Sequence, residues 1–575
     1  MSAGCAASLG LAEVEALRRL ARQFEAGSDA AKLAELERCA SLPILAPEVL
    51  VAWHDVLLFM LAYPQTPALR ARCESELSRC AELARVLAGT GEDLPDALHG
   101  SGLAWTRVAV TFNHQVARWL ADTFPGVAGF HAARGSADTL RKLLRESLPD
   151  AEFEALAEPA EDAGALIENL GALAALAAAD PLRWLLDNLD ASGLPDRMLR
   201  SLYDDLDVFV GLRSQDSLLT RARLRGLDRP IAYQDRPLAR SEDARALLDE
   251  PLAPAIDLTD DDRARLLTTA RGLLALLGRQ TEPISSCNGT GVMAYDLGRG
   301  VVIALFSTAP ADRTPLDSHV GMMLFKNGLP VAYGGGWPFL GVCKIGINIF
   351  EPYRGGESHF LFLSVMRAYR HLFGIRRFIV ERYQFGRNNP EGIASAAYWF
   401  YYRLGFRSMR TDLASLAERE WARLRDGKVK ATTRRTLERF TEAHMEMRLP
   451  GCPDSFDYCD PADLSRTVTA VVKRRFAGDR KAFSAWAETQ LRAILDFPAG
   501  LSPQQRRALA LLAPVVALIP GLAQWSAGER TQVRDWILSR TGEDERPYFA
   551  LLTGHPRLQA ALEALPQLDD GEALS

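Results

Sequence analysis

Residues 344–406 read KIGINIFEPYRGGESHFLFLSVMRAYRHLFGIRRFIVERYQFGRNNPEGIASAAYWFYYRLGF, and strand-like and helix-like patterns alternate along them. The runs KIGINIF (344–350) and RFIVE (377–381) are short and rich in β-branched and aromatic residues, as strands are. Between them, apolar residues recur at helical spacing from Ser358 to Phe373, and Gly374 then stops the helix. Strand, helix and strand in this order predict a βαβ unit with two parallel strands.

The neighbouring segments extend this unit into a larger sheet. Short β-branched or aromatic runs bounded by turn residues lie between Gly291 and Phe350, and Asn327-Gly328 predicts a tight hairpin turn between two of them. A second helix is predicted over Ile393 to Leu404, with one more strand near Arg407 to Arg410. The predicted fold class is α+β, with a central mixed β-sheet flanked by helices and all-α regions at both ends of the chain.

At 575 residues the chain exceeds the usual size of one domain. Apolar residues at steps of three and four predict an N-terminal helical domain over residues 1–220. Residues 221–257 are charged and hold four prolines, so we interpret them as a linker. The central sheet domain then occupies residues 258–450, with a helix predicted over Arg434 to Glu446, and a C-terminal helical region follows over residues 451–575.

The charge balance and the cysteines argue against several classes of function. Lys plus Arg total 67 against 73 Asp plus Glu, a formal net charge of −6, which disfavours wholesale nucleic-acid binding. The eight cysteines form no C-x-x-C pair, which argues against a disulfide framework and a zinc site, and we expect no metal. The sequence has no signal-peptide pattern and no bilayer-spanning stretch, so we expect a cytoplasmic protein without a membrane partner.

Two segments of the central domain point to chemistry. FEPYRGGES (350–358) is a glycine-containing loop that joins a strand to a helix start, where backbone N–H groups favour a phosphate and Arg354 adds a charged donor. FYYRLGF (400–406) ends the later helix on a glycine. Each segment alone also fits a purely structural role, the first as a tight turn and the second as an aromatic helix face packed on the sheet.

Taken together and in this order, the two segments resemble the GNAT N-acyltransferase superfamily over the central part of the chain only. Members of that family carry a strand, a pyrophosphate loop written Gln/Arg-x-x-Gly-x-Gly/Ala at a helix start, a second strand, and a helix ending in a Leu-Tyr-Glu-Lys-x-Gly-Phe-like run. KIGINIF, EPYRGGES, RFIVE and FYYRLGF correspond to these four parts. If Arg354 opens the loop motif, Glu357 and His359 take the places of its two small residues, which is a departure from the family pattern.

The resemblance implies an acyl-coenzyme-A co-substrate, acetyl-coenzyme A or another acyl-coenzyme A, and an amine acceptor that is a small molecule or a protein. The residues that it assigns to coenzyme A are Ile349, Phe350, Arg354, Gly355, Gly356, Glu357, Ser358 and, beside the pantetheine arm, Asn389.

It also implies direct attack of the amine on the thioester, which needs a base, a backbone N–H to polarise the carbonyl, and an acid for the thiolate. The family tyrosine corresponds to Tyr401, the expected acid, with Tyr402 second. Glu351 is the first candidate for the base, followed by His319 with Asp317 beside it.

Three other functions remain open from the sequence. One is aminoacyl transfer from charged tRNA, for which KVKATTRR (428–435) is the best candidate for a basic surface. Another is a catalytically inactive GNAT-like module for ligand sensing or scaffolding. The last is a hydrolase that uses Cys287, His319 and Asp317. The sequence leaves the oligomeric state open.

Overall fold

The computed structural model describes residues 8–89, 94–154, 159–173, 180–214, 219–238, 243–452 and 459–567. Local sequence sets several helix starts in the N-terminal part. Pro47 and Pro67 occupy first helical turns, where a missing N–H costs nothing, and the Thr66 side chain accepts a hydrogen bond from the Leu69 N–H. The first helices are α1 (Leu11–Ala21), α2 (Ser28–Ala40), α3 (Pro47–Ala62), α4 (Pro67–Ala88), α5 (His114–Thr123), α6 (Ala137–Arg145), α7 (Asp150–Phe153), α8 (Ala163–Leu173), α9 (Pro181–Ala191) and α10 (Asp196–Asp204).

The N-terminal region also contains a three-stranded antiparallel sheet. Its strands are β1 (Arg107–Thr111), β2 (Ala128–Ala133) and β3 (Val208–Arg213), and β3 lies between the other two. The prediction of an all-α N-terminal region was therefore wrong. The central strand of this sheet is far along the chain from both partners, and local periodicity does not report such a long-range pairing.

The second sheet has eight strands in the part of the chain that the structure describes, in the order β10-β11-β9-β8-β7-β6-β5-β4. The helices α11 (Ala244–Asp249), α12 (Asp260–Leu276) and α13 (Glu282–Ser286) precede it. Its strands are β4 (Val292–Gly298), β5 (Val301–Ser307), β6 (Val320–Lys326), β7 (Leu329–Phe339), β8 (Val342–Ile349), β9 (Arg377–Val380), β10 (Arg407–Ser408) and β11 (Met445–Arg448). The helices among and after them are α14 (Ser358–Phe373), α15 (Pro390–Ala394), α16 (Tyr398–Leu404), α17 (Thr411–Arg425) and α18 (Arg434–Phe440).

The predicted hairpin turn and the predicted α+β class are confirmed. Asn327 and Gly328 both have positive φ, 50° and 79°, as the tight turn between β6 and β7 requires. The predicted βαβ unit is also present, because β8 and β9 are parallel and α14 connects them. The Tyr369 hydroxyl on α14 donates to the Val320 carbonyl at 2.6 Å, which holds this helix on one face of the sheet.

Parallel pairing between β8 and β9 is short. It covers only Val342–Lys344 against Arg377–Ile379, whereas β8 stays paired with β7 as far as Ile349. After Lys344 the two parallel strands separate, because β9 ends at Val380 and turns into a 3₁₀ turn over Arg382–Phe385. This separation positions the candidate site described below.

Two predicted helices differ from the observed ones. The helix expected over Ile393 to Leu404 is divided into α15 and α16, and Ala396 between them has a φ of 51°. The helix expected over Arg434 to Glu446 ends at Phe440, and the residues after it form β11, which is inserted between β9 and β10. Both differences follow from tertiary contacts that a helical pattern in the sequence does not contain.

The segment 221–257, interpreted as a linker, packs along the central sheet. The Gly226 N–H donates to the Gly328 carbonyl at 2.8 Å, and the Ile256 N–H donates to the Ala294 carbonyl at 2.9 Å. Glu250, directly after α11, forms an ion pair of 2.6 Å with Arg367 on α14. The segment is thus an extended connection with fixed contacts over its described residues.

Beyond residue 459 the described residues are helical, as predicted. A buried cluster of charges joins them to the loop between β5 and β6: Glu545 lies 3.0 Å from Arg540 and 3.3 Å from Arg313, and it also accepts a hydrogen bond from Ser318. Among the described residues, no helix is both long and apolar enough to cross a membrane. The C-terminal helices are α19 (Pro461–Arg475), α20 (Arg480–Leu495), α21 (Pro503–Val516), α22 (Ala527–Ser539), α23 (Arg546–Thr553) and α24 (Pro556–Ala564).

We expect Glu545→Gln to lower the free energy of unfolding by about 3–5 kcal/mol, because the change leaves two buried guanidinium groups without their counter-charge. Urea denaturation, monitored by circular dichroism, measures the change in the free energy of unfolding. Glu438→Gln is the matched control: it removes an exposed ion pair with Arg434, and its cost should stay below about 1 kcal/mol. Equal stability of the two variants would contradict the role of the cluster.

Candidate functional site

A cavity of about 630 Å³ lies where β8 and β9 separate. The end of β8, the start of α14, the 3₁₀ turn after β9 and the helices α15 and α16 form most of its wall, and Arg279 with Gln280 closes one side. The side chains of Tyr333, Tyr383, Phe400 and the other lining residues make the wall partly aromatic and partly polar. The volume of this cavity falls within the usual range for small-molecule and cofactor sites.

The edge of β8 that borders this cavity has no partner strand among the described residues. The Phe350 N–H donates to the Val331 carbonyl on β7 at 3.0 Å. Because successive strand residues direct their backbone groups to opposite sides, Ile347 and Ile349 direct theirs away from β7 and into the gap left by β9. Arg354 Nε donates to the Ile349 carbonyl at 3.2 Å. An extended ligand can therefore hydrogen-bond to this edge as an added strand does.

The loop before α14 brings the positive end of a helix to the same cavity. Ser358 is the first residue of α14 and lines the cavity, and the first N–H groups of a helix have no partner within it. Gly355 has a φ of 79°, which a residue with a side chain rarely adopts. Gly356 packs against the protein, since an added Cβ there would lie 2.9 Å from the Tyr63 hydroxyl. The two glycines thus shape the loop and are not among the residues that line the cavity.

Glu357 is directed into the protein, away from the cavity. Its carboxylate lies 3.1 Å from Lys326 Nζ and 3.2 Å from Arg299 Nη1, and the side chains of Glu357 and Lys326 are almost fully buried. Burial lowers the pKa of Lys326, and the carboxylate of Glu357 opposes that shift. This corrects the expectation that Glu357 contacts a ligand: a buried ammonium attracts the carboxylate inward, so this residue places no negative charge at the cavity.

Tyr401 lines the cavity from α16. Its side chain is buried, with its ring 5.6 Å from that of Phe362. Burial raises the pKa of its phenol, so the hydroxyl keeps its proton at neutral pH. A hydroxyl that keeps its proton can donate a hydrogen bond to a group in the cavity.

The two candidates for the base lie elsewhere. Glu351 is exposed in a 3₁₀ turn over Glu351–Tyr353 and does not line the cavity. His319 stacks on Trp337 with ring centres 3.9 Å apart, and its Nδ1 lies 3.5 Å from a Glu282 carboxylate oxygen. Neither side chain is brought to the cavity, because both project from parts of the sheet and loop that face other surroundings.

Some of the remaining predicted residues line the cavity, and others pack behind its wall. Ile349, Arg354 and Asn389 line the cavity with Ser358 and Tyr401. The Asn389 side chain is engaged in its own turn, accepting from the Gly392 N–H and donating to a backbone carbonyl of the preceding loop. Phe350 lies behind the wall, where it is buried and stacks on Tyr333.

Several lining residues were not singled out from the sequence, among them Arg279, Tyr333, Asn348, Gln384 and Glu391. The Arg279 guanidinium donates to the Tyr333 hydroxyl at 3.3 Å, and Glu391 forms an ion pair of 2.7 Å with Arg354. The polar Asn348 within KIGINIF was a usable signal, since a polar residue between isoleucines in a strand marks a face that is not core. The others come from distant segments and carry no such signal.

The structure argues against the hydrolase hypothesis, because Cys287 is not suited to act as the nucleophile. Cys287 is buried, and burial raises the pKa of its thiol to about 12. Its thiol donates to the Asn288 carbonyl at 3.0 Å. A thiol with this pKa is almost entirely protonated near pH 7, and the thiolate is the nucleophilic form.

No group of three or more His, Cys, Asp or Glu side chains arranged for a metal ion occurs in the described ranges. Comparison of the chain with protein-family models, with curated proteins and with solved structures found no match. The cavity itself is therefore the basis for a functional proposal.

We expect Lys326→Met to lower the free energy of unfolding by about 3 kcal/mol or more, because it leaves the buried Glu357 carboxylate with only the partly exposed Arg299. The double variant Lys326→Met/Glu357→Gln should recover most of this loss, since it removes both charges. Thermal and urea unfolding of the wild type, both single variants and the double variant test this. If the double variant were as unstable as Lys326→Met, the ion pair between Lys326 and Glu357 would not be what stabilises the loop before α14.

Proposed function

We propose that this chain is an acyl-coenzyme-A-dependent N-acyltransferase resembling the GNAT superfamily. One observation carries the proposal: the unpaired edge of β8, the N-terminus of α14 and the protonated Tyr401 border a single cavity. An unpaired strand edge suits an amide-containing arm, a helix N-terminus suits a phosphate, and a protonated phenol suits a leaving thiolate. Pantetheine, pyrophosphate and thioester occur together in acyl-coenzyme A.

In the proposed complex, the pyrophosphate lies at the start of α14, near Ser358 and Arg354. The pantetheine amides hydrogen-bond to the backbone of Ile347 and Ile349. Arg354 would then exchange its ion pair with Glu391 for a phosphate contact, which a guanidinium makes with two parallel hydrogen bonds. The inward orientation of Glu357 supports this placement, because it removes a carboxylate from the path of the phosphates.

The reaction consistent with these groups is direct acyl transfer. The neutral amine nitrogen attacks the thioester carbonyl carbon, a C–N bond forms, the C–S bond breaks, and Tyr401 gives its proton to the departing thiolate. The proton lost by the amine goes to solvent, and the Tyr401 phenolate takes a proton back from solvent. A backbone N–H on the open edge of β8 would stabilise the oxyanion. The acceptor would enter beside Tyr333, Asn348 and Gln384, which supply the polar part of the wall.

A second candidate function is ligand sensing without catalysis. The positions of Glu351 and His319 outside the cavity favour it, since both were the expected bases. Both candidate functions require binding of an acyl-coenzyme A. They differ only in whether the bound thioester is then consumed. Binding of an acyl-coenzyme A without amine-dependent release of its thiol would support the sensing function.

Titration calorimetry with coenzyme A, acetyl-coenzyme A and longer acyl-coenzymes A tests the binding step. Arg354→Gln should weaken binding by about tenfold, because it removes a charged phosphate donor. Glu391→Gln should strengthen binding by about two- to fivefold, because it releases Arg354 and removes a repelling carboxylate. Arg480→Gln, an exposed change on α20, is the matched control and should have no effect. Absence of binding to every ligand by the folded wild type would refute the proposal.

The Tyr401→Phe variant tests the proposed acid. We expect kcat for thiol release to fall by about 10²- to 10⁴-fold, because the leaving thiolate loses its proton donor, while KM for the acyl-coenzyme A changes little. The assay measures free thiol in the presence of a panel of compounds with α-amino and ε-amino groups. Tyr402→Phe, one position further along α16, serves as the control. Equal turnover of wild type and Tyr401→Phe would remove Tyr401 from this role.

A further inference from the structure

A second cavity, of about 730 Å³, lies on the other side of α15 and α16. The helices α15, α16, α17 and α18 enclose it together with the loop before α18. On α15, Glu391 and Gly392 border the first cavity, whereas Pro390 and Ile393 border the second. The two cavities therefore share a wall, and neither the proposed function nor the residues assigned to it account for the second cavity.

The inner surface of the second cavity is apolar. Trp399, Trp421 and Leu437 contribute its largest apolar side chains, with Leu424 beside them. The indole N–H of Trp399 already donates to the Thr432 hydroxyl at 3.0 Å, so the ring presents hydrocarbon to the cavity. Trp399 and Trp421 also pack on each other with ring centres 5.3 Å apart. An apolar ligand would gain from burial against this surface.

The rim of the same cavity is basic. Arg403, Arg425, Lys430 and Arg434 are exposed lining residues, and no Asp or Glu occurs among the described residues that line the cavity. Arg434 is ion-paired with Glu438 and Arg425 with Asp426, but neither Arg403 nor Lys430 forms an ion pair within the described part of the chain. Two of the four cations around the opening are therefore without an acidic partner in the described part of the chain. The arrangement attracts an anion to the opening.

We propose that this cavity binds a small anionic amphiphile: a single apolar chain that occupies the interior, with a carboxylate or phosphate head held at the rim by Arg403 and Lys430. The volume is within the range of small-molecule sites. The position of Trp399 favours such a ligand over a nucleic acid. Its side chain is largely buried, whereas single-stranded nucleic acids stack on open aromatic faces. Lys430 and Arg434 of KVKATTRR thus form part of a small-ligand site.

Binding is tested with two named probes, dodecanoate and dodecyl phosphate, and the full-length protein. The readouts are calorimetry and tryptophan fluorescence, since two tryptophans line the cavity. Both probes should bind below their micelle concentrations, and the stronger one identifies the preferred head group. Dodecyltrimethylammonium, which has the same chain and the opposite charge, should bind at least about tenfold more weakly. Acetyl-coenzyme A should not displace the probes.

Three variants locate the site. Arg403→Glu/Lys430→Glu should weaken binding of both probes by about tenfold or more, because it reverses the charge of the exposed rim. Ala431→Trp, on the exposed loop at the opening, should abolish binding by filling the entrance. Arg480→Glu/Lys481→Glu makes the same charge change on α20 and should leave affinity unchanged.

Any of several outcomes would overturn the proposal: no binding of either probe by the wild type, equal binding by all variants, or a single-stranded RNA that binds at this rim and displaces the probes. A fall in affinity for Arg403→Glu/Lys430→Glu that the Arg480→Glu/Lys481→Glu control shares would overturn it as well, since net charge alone would then explain binding.

Discussion

The early end of parallel pairing between β8 and β9 is the constraint on which the candidate site depends. β8 must remain extended as far as Ile349 because β7 pairs with it over its full length. β9 is only four residues long and turns away after Val380. On the side away from β7, the backbone groups of β8 beyond Lys344 therefore have no strand opposite them, and the space is closed by a 3₁₀ turn and two helices instead. A strand edge that is buried on its faces but unpaired along its side is a suitable place for an extended ligand.

Buried carboxylates hold the surrounding parts in place. Glu357 joins the start of α14 to the hairpin through Lys326, and Glu545 joins the C-terminal helices to the loop between β5 and β6 through Arg313 and Arg540. In both cases the charges are removed from water, so each one requires its partner. The first of these pairs also affects the site directly. It directs inward the one carboxylate that the loop sequence places at the start of the helix.

The segment that holds α15 and α16 forms a wall between two cavities of the central domain. It is broken at Ala396, which has a positive φ, and residues on both sides of the break line each cavity. One side is polar and borders the open strand edge. The other is apolar with a basic rim. Residues of α15 contribute to the walls of both cavities.

The sequence by itself determined the elements that depend on neighbouring residues. The hairpin at Asn327-Gly328, the βαβ unit with its glycine stop at Gly374, and the glycine-containing loop at a helix start all follow from turn chemistry and periodicity, which act over a few positions. Tyr401 was assigned to the site only through the resemblance of FYYRLGF to a family motif, and the structure places it on the same cavity as Ser358.

Tertiary structure alone decided the rest. The N-terminal sheet and the insertion of β11 need strands from distant parts of the chain, and no local pattern identifies the partner of a strand. Glu357 turns inward, and Glu351 and His319 lie outside the cavity. These positions depend on the charged and aromatic side chains that the folded chain brings next to each residue. Periodicity and turn chemistry are properties of adjacent residues, whereas the burial of a charge and the pairing of a strand edge are properties of what the folded chain brings next to them.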